Sequence, residues 1–397
     1  MRAKKQILIT LIKALSGKIE IFKNGVWTTI GNFTNVPSGL VSAIATGLNS
    51  STYYSWRVTA TDADNYTTQK VFHFRTNATG VSPSPVNWTL ASWSYRKQID
   101  VAGIGTPISW FPLLVDITDA NIAAHGLADG SDLVFTDSND TRLNVELESY
   151  SAGHVVAWGY LDTLPASGRA IRVYYGNPAG DGGSCFPANV WDSIYLAVHH
   201  MDNPALSEES SANANNAQQM ISIAGTAGKF DGSYQFICVD SRIALPQLFS
   251  SQNSFTIQAW ITSNSKQGYI ATQRDMSSHG FLLQYFTEGT EQAYCDSVKA
   301  SRAMSTIFWH YVVARFDGPS GSITVDATTP VGLSSSITWP AKSFYIGDRS
   351  NLGRAFSGKV DELRVSIVSR SEAYVKASFA NQDDPASFLV VGPEQAH

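Results

Sequence analysis

Three groups of residues in this 397-residue chain have types and spacings that could do chemistry. The first is acidic and imidazole: Asp361-Glu362 in Gly358-Lys-Val-Asp-Glu-Leu-Arg-Val365, His199-His200 with Asp202, and Asp231 in Phe230-Asp-Gly232. Neighbouring residues on a strand face opposite sides. Asp361 and Glu362 are therefore expected to point apart, as are the two imidazoles, and both pairs read as structural sooner than as a catalytic pair or a zinc site. The second group is Gln273-Arg-Asp-Met-Ser-Ser-His279 with Tyr285, Tyr294 and Asp296. Aromatic faces carry sugar rings, and guanidinium, imidazole and carboxylate groups hold hydroxyls. Arg274, Asp275, His279, Tyr285, Tyr294 and Asp296 are thus candidate ligand-binding residues, although each tyrosine taken singly reads as core. The third is Asp129-Gly-Ser-Asp132, which is calcium-like in composition but lacks the twelve-residue ligand pattern and reads as a turn. A Gly-x-Ser-x-Gly nucleophile elbow and a phosphate loop are both missing from the sequence, and Gly318-Pro-Ser-Gly-Ser322 reads as a turn between strands. No catalytic residue is assigned, and the motifs lean against an enzyme.

The elements that must position these residues are short strands. Charged residues make up 15% of the chain, against roughly 25% in an average soluble domain, and aromatics 11%. That balance suits half-buried pleated sheets. A net charge of -5 argues against a nucleic-acid partner, which needs a basic face. No run of about 18 apolar residues exists to span a membrane. Cys185, Cys238 and Cys295 are odd in number and lack metal spacing, so buried thiols or one disulfide stay open. Residues 1–16 read as a signal-like or truncated start. Asn-x-Ser/Thr triplets at Asn32, Asn49, Asn65, Asn77, Asn87 and Asn139 favour export.

Residues 17–78 alternate in Lys18–Phe22, Val26–Ile30 and Tyr53–Ala60. With Gly47-Leu-Asn-Ser-Ser-Thr-Tyr-Tyr-Ser-Trp-Arg-Val58 and Phe72-His-Phe-Arg-Thr76, this segment resembles the second half of a fibronectin type III domain. A Pro/Ser spacer at 79–89 follows. Residues 90–183 carry Trp93-Ser-Tyr-Arg-Lys-Gln-Ile99, Asp129-Gly-Ser-Asp-Leu-Val-Phe-Thr-Asp137, Leu143-Asn-Val-Glu-Leu-Glu-Ser-Tyr150 and Tyr174-Tyr-Gly-Asn-Pro178, and they resemble the DUF2341 family of extracellular β-domains. Residues 184–397 carry Ser254-Phe-Thr-Ile-Gln-Ala-Trp260, Trp309-His-Tyr-Val312 and Gly358-Lys-Val-Asp-Glu-Leu-Arg-Val365, and they resemble the concanavalin A-like, laminin-G-type jelly roll. An amphipathic helix is predicted over 369–380. The expected fold is all-β: tandem β-sandwich domains with a C-terminal concanavalin A-like jelly roll.

That resemblance has consequences of its own. Glycosidases of this architecture commonly place Glu-x-Asp-x-x-Glu on one strand, a pattern this chain lacks. The resemblance implies a structural Ca²⁺ site, with Asp202, Asp231 and Asp361 as its ligands, and it makes His310 a packing residue. A secreted or cell-surface binding protein that recognises glycan or a surface or matrix protein is the leading reading. A polysaccharide-active enzyme and a self-assembling structural subunit of a surface layer or filament are its alternatives.

Overall fold

The computed structural model describes residues 3–11, 15–23, 26–36, 39–48, 53–62, 67–75, 90–180, 187–191, 193–202, 209–237, 240–264, 267–286, 290–305, 307–348 and 354–397. The chain divides into two compact units, 1–89 and 90–397. Cys185 and Cys238 lie outside the described residues, as does the side chain of Cys295, and so does the spacer at 79–89. Among the described glycosylation triplets, Asn32 and Asn139 are exposed.

In the first unit the apolar start forms a strand, Ala3–Leu11, antiparallel to Gly39–Leu48. A four-stranded sheet runs in the order Val26–Val36, Leu15–Lys23, Tyr53–Thr61, Thr67–Arg75. Alternation along Lys18–Phe22 sends Ile19 and Ile21 inward, where they pack with Phe33, Ala43, Ala45 and Val58.

The second unit holds two sandwiches. The smaller one pairs a three-stranded sheet (Val145–Ser151, His154–Leu164, Ile108–Thr118) with a sheet built on Tyr95–Val101, Arg169–Tyr175 and Val134–Asp137. Its second sheet is completed by the end of the chain, because Leu389–Val391 and Gln395–Ala396 pair with Tyr95–Val101. The boundary expected at 184–397 therefore needs correction: the last residues leave the jelly roll and finish the preceding domain. Only an extended tail with an unpaired edge strand to join could do so, and no local pattern in the sequence names that partner.

The larger sandwich stacks an eight-stranded sheet on a seven-stranded one. Gly358–Ser366 lies in the eight-stranded sheet between Gly232–Phe236 and Ser254–Ser263, and Tyr195–His199 also pairs with it. Gly268–Arg274, Gly280–Phe286, Thr290–Cys295 and Val298–Ala303 are consecutive in the other. Phe255, Ile257, Ala259 and Ile261 face Phe281, Leu283, Tyr285 and Ala293 across the core. The outer face of the eight-stranded sheet is buried as well. Trp191, Tyr195 and Val198 pack there against Leu114, Val156 and Trp158 of the smaller sandwich.

A helix, Glu372–Asp383, is wedged into this junction, its N-cap Ser371 accepting from the Tyr374 backbone N–H. Tyr374 and Ala377 join the core of the smaller sandwich, while Val375 packs with Trp260 and Tyr311. Asn381 hydrogen-bonds both the N–H and the C=O of Leu114, at 2.8 and 2.9 Å. The helix predicted over 369–380 thus exists, but it buries two flanks rather than one apolar stripe. Among the described residues no helix is long and apolar enough to cross a membrane.

Candidate functional site

Two polar clusters stand out, one inside the junction and one on the rim of the jelly roll. The junction cluster starts from a strand irregularity. Pairing of Ser254–Ser263 with Gly358–Ser366 jumps from Gln258↔Arg364 to Trp260↔Asp361, so the latter strand carries an extra residue. Glu362 sits there in the left-handed region at φ 52. Val360, Leu363 and Val365 face the core, and Asp361, Glu362 and Arg364 gather on the opposite, junction side. The expectation that Asp361 and Glu362 point apart is corrected by this bulge.

Into the same space Val145–Ser151 sends Glu146 and Glu148, two residues apart and hence on one face. His200 follows Tyr195–His199, just before Met201 at φ 66. Its Nδ1 lies 2.7 Å from Glu362 Oε1 and 3.4 Å from Glu148 Oε2, and its Nε2 lies 3.1 Å from Glu146 Oε2. Trp158 Nε1 donates to Glu148 at 2.6 Å, Trp191 Nε1 to Glu146 at 2.5 Å and Ser210 Oγ to Glu146 at 2.6 Å. Arg364 pairs with Glu362 and lies over the rings of Trp158 and Trp191, 4.0 and 4.6 Å from their centroids. His199 faces away, as adjacent strand residues should. Its imidazole is buried, and burial with the nearby His200 charge pulls it down to about 4.

Burial and neighbours push the proton affinities of these groups in opposite directions. Burial alone would discharge His200, but Glu362, Glu148 and Glu146 outweigh it and hold the imidazolium well above the usual histidine range. Burial pushes Glu362 up, and His200 with Arg364 more than reverses this, so it stays ionised. Glu146 is likewise held low by His200, Ser210 and Trp191 against its burial. Burial wins at Glu148, helped by the fields of Glu362, Asp231 and Asp361, and it wins at Asp361 and Asp231 too. The result is two cations balanced by two anions, with Glu148, Asp361 and Asp231 holding their protons more tightly than free carboxyls do. The side chains of His200, Glu148 and Glu362 are 8%, 2% and 0% exposed, so the cluster is closed to solvent. It acts as a polar joint between two domains.

The three aspartates expected to hold calcium border this joint. Asp361 Oδ2 accepts the Lys229 N–H at 2.7 Å, and Asp231 Oδ1 accepts the Gly232 N–H. Asp202 is exposed, and its backbone packs against Gly232 so closely that a Cβ there would lie 2.6 Å from Asp202 Cα. Among the described residues, the group whose ligand-type atoms lie within 4.8 Å of one another is Glu148, His200 and Glu362 instead. One nitrogen and two carboxylates, with both imidazole nitrogens already facing glutamates, do not suit calcium's preference for six to eight oxygens.

The rim cluster is open. Arg274 ends its strand, Asp275–His279 forms the turn to Gly280–Phe286, and Asp296 heads the turn between Thr290–Cys295 and Val298–Ala303. Arg274 lies 5.3 Å from the Tyr294 ring centroid and donates to the Asp296 carbonyl at 2.6 Å. His279 Nδ1 is 3.0 Å from Asp275 Oδ2. The Asp296 carboxylate accepts N–H groups from Gly280 at 2.6 Å and Thr338 at 3.2 Å. Gly280 needs its φ of +101, and a Cβ would lie 2.1 Å from Gln273 O, so only glycine lets the two turns approach. Five of the six predicted carbohydrate-binding residues are therefore neighbours. Tyr285 is corrected: strand alternation places it inward with Phe281 and Leu283, 1% exposed in the core. On the face of this sheet away from that core, Gln284 and Gln292 are buried and joined at 2.9 Å, with the Tyr294 hydroxyl donating to Gln292 at 3.1 Å.

Residues 231–376 match the family model of the concanavalin A-like lectin/glucanases superfamily. No curated protein matches the chain. Among solved structures it is similar to domain 4 of a GH43 extracellular arabinanase from Geobacillus stearothermophilus in complex with arabinotriose. That match is 17% identical, covers 47% of this chain and 98% of that one, and has a TM-score of 0.38. The binding domain of Paraclostridial Mosquitocidal Protein 1 is 11% identical, covering 47% of this chain and 52% of that one at a TM-score of 0.39. The Botulinum neurotoxin serotype D binding domain is 9% identical, covering 49% and 53% at 0.39. The chain spans about half the length of the latter two. The two stacked sheets and the family match together identify residues 231–376 as a concanavalin A-like domain.

Proposed function

We propose that this chain is a secreted or cell-surface binding protein whose concanavalin A-like domain recognises carbohydrate at the rim formed by Arg274, Asp275, His279, Tyr294 and Asp296. The fibronectin III-like and DUF2341-like segments would then be its supporting modules. The observation that carries the reading is the open rim itself, where the Arg274 guanidinium lies against the Tyr294 ring and donates to Asp296, and the His279–Asp275 pair sits in the adjoining turn that Gly280 ties to Asp296. The junction cluster offers no competing site, because its side chains are enclosed.

The test is glycan-array binding by the full chain beside Arg274→Ala and Tyr294→Ala. Binding that both substitutions weaken about tenfold or more supports the reading, since one lost contact of about 1.4 kcal/mol is tenfold. Glycan binding indifferent to both removes the rim from recognition. A chain that binds no glycan and self-associates instead returns the weight to the surface-assembly alternative. Repeating the array in EDTA tests calcium at Asp202, Asp231 and Asp361. The support for an ion there is the buried Asp361 Oδ1, which has no hydrogen-bond partner among the described residues. An ion would hold the domain's first and last strands together.

A further inference from the structure

On the other side of the jelly roll lies an open cleft of about 620 Å³ between its two sheets. Arg302, Ala303, Met304 and Ser305 form one wall, and His310, Val325, Asp326 and Val331 line the rest. His310 Nε2 is 2.6 Å from Ser305 Oγ, and His310 Nδ1 is 2.6 Å from Asp326 Oδ2. An ionised Asp326 can only accept, so Nδ1 carries the hydrogen and the Nε2 lone pair faces the serine hydroxyl. The other oxygen of Asp326 accepts the Tyr311 N–H at 2.9 Å, which fixes the carboxylate. A hydroxyl, an imidazole oriented by a carboxylate, and a space in front of them are the geometric requirements of an activated serine nucleophile.

The local chain is arranged around this contact. His310 opens its strand and Asp326 follows Ser320–Val325, which pairs with it, so the imidazole and carboxylate meet across neighbouring strands. Asp326 and Ala327 both lie in the left-handed region, at φ 52 and 50. Ile307, a β-branched residue, is held there too at φ 67, tied by its N–H to Ser263 O at 3.2 Å. Strain of this kind clusters where a site is being held in shape. Ser305 is exposed, and Ile307 and Phe308 beside it are 73% and 66% exposed. No Gly-x-Ser-x-Gly elbow signals the site, because here the serine precedes a strand instead of a helix.

We propose that Ser305, His310 and Asp326 form an ester-hydrolysing site, separate from the proposed glycan-binding rim. The two sites lie at opposite ends of Val298–Ala303, about 17 Å apart at 3.3 Å per residue. Ser305 Oγ attacks the ester carbonyl carbon while His310 Nε2 takes its proton. The tetrahedral intermediate collapses, the carbon–alkoxy bond breaks, and the alcohol leaves with the proton from Nε2. Water then attacks the acyl-serine, His310 takes one proton from it, and carboxylic acid and free serine result. Arg302, the cationic side chain in the cleft lining, is assigned the oxyanion.

The experiment is hydrolysis of p-nitrophenyl acetate by the full chain, with labelling by a fluorophosphonate located by mass spectrometry. Wild type should turn over the ester and carry the label on Ser305. Ser305→Ala and His310→Gln should each lower turnover by about 10²–10⁴-fold and abolish labelling. Ser305 is exposed, so its alanine variant keeps the fold, and an unchanged melting temperature checks this. Absence of labelling on folded wild type overturns the proposal. So does turnover that survives Ser305→Ala, which would mark direct attack by an imidazole.

Discussion

The junction cluster and the rim cluster use the same side-chain types, carboxylates, an arginine, a histidine and aromatic rings, to opposite ends. At the junction, Arg364 over Trp158 and Trp191 is 1% exposed and His200 lies among three glutamates. At the rim, Arg274 beside Tyr294 is half-buried and the His279 side chain is 48% exposed. Buried, such groups must be balanced among themselves, and removing one member strands a charge. Open to solvent, they cost little to keep and remain available to a ligand. Composition of a polar cluster therefore says less about its role than its access to water.

This contrast can be broken by mutation, and the largest effect is expected at the junction. Glu362→Ala leaves Arg364 and the His200 imidazolium without their shared partner, and should destabilise the 90–397 unit by about 3–5 kcal/mol. Calorimetry of the full chain should show that unit's transition moving down while that of 1–89 stays. A shift under one degree would mean the cluster relaxes freely and is no joint.

The pH profile sharpens the same point. Glu148, Asp231, Asp361 and His200 all hold protons more tightly folded than unfolded. Their contributions are complete below each unfolded pKa and lost as pH rises through the folded values. Glu146 and Glu362 run the other way, complete above 4.5 and lost as pH falls through their lowered values. Between about pH 4 and 6.5 the loss from Glu148 is opposed by His199, which is held down to about 4 and adds to the fold's stability as pH rises, so the unit's stability should decline above 6.5, where that gain is complete and unfolded His200 discharges. Glu148→Gln keeps an acceptor for Trp158 but cannot ionise. It should flatten the alkaline decline by about 1–3 kcal/mol in melts followed from pH 5 to 9. An unchanged profile would show that Glu148 does not hold its proton more tightly folded than unfolded.

Smaller effects belong to the rim. Arg274→Ala removes a cation–π contact worth about 0.5–1 kcal/mol at an exposed site, so its melting temperature should barely move while glycan affinity falls. Tyr285→Phe, altering a core residue, should leave binding unchanged. Equal loss of binding at Tyr285 and Tyr294 would erase the distinction between core and rim.

The all-β architecture was legible because it is written in local periodicity. Ser254–Trp260 alternates as a strand of a sandwich must, whereas the turns at 275–279 and 296–297 came from the structure. Those turns also brought Arg274, Asp275, His279, Tyr294 and Asp296 together, since adjacent hairpins place their tips side by side. Tyr285 escaped the same reading because its distance from the strand end decides which face it takes.

What tertiary structure alone decided is everything that depends on a break in that periodicity or on distant partners. The extra residue at Glu362 turned an alternating pair into two groups on one face; the uneven spacing of Val360, Leu363 and Val365 marks the break, but which side chains it gathers depends on the packing. The meeting of Glu146 and Glu148 with His200 and Glu362, and of Ser305 with Asp326, joins segments whose contact is set by how sheets stack. The return of Leu389–Val391 to Tyr95–Val101 is set by an open sheet edge nearly three hundred residues earlier. A sequence specifies which faces are apolar through local sterics and hydrophobicity, whereas which faces then touch is decided by the packing of the whole chain.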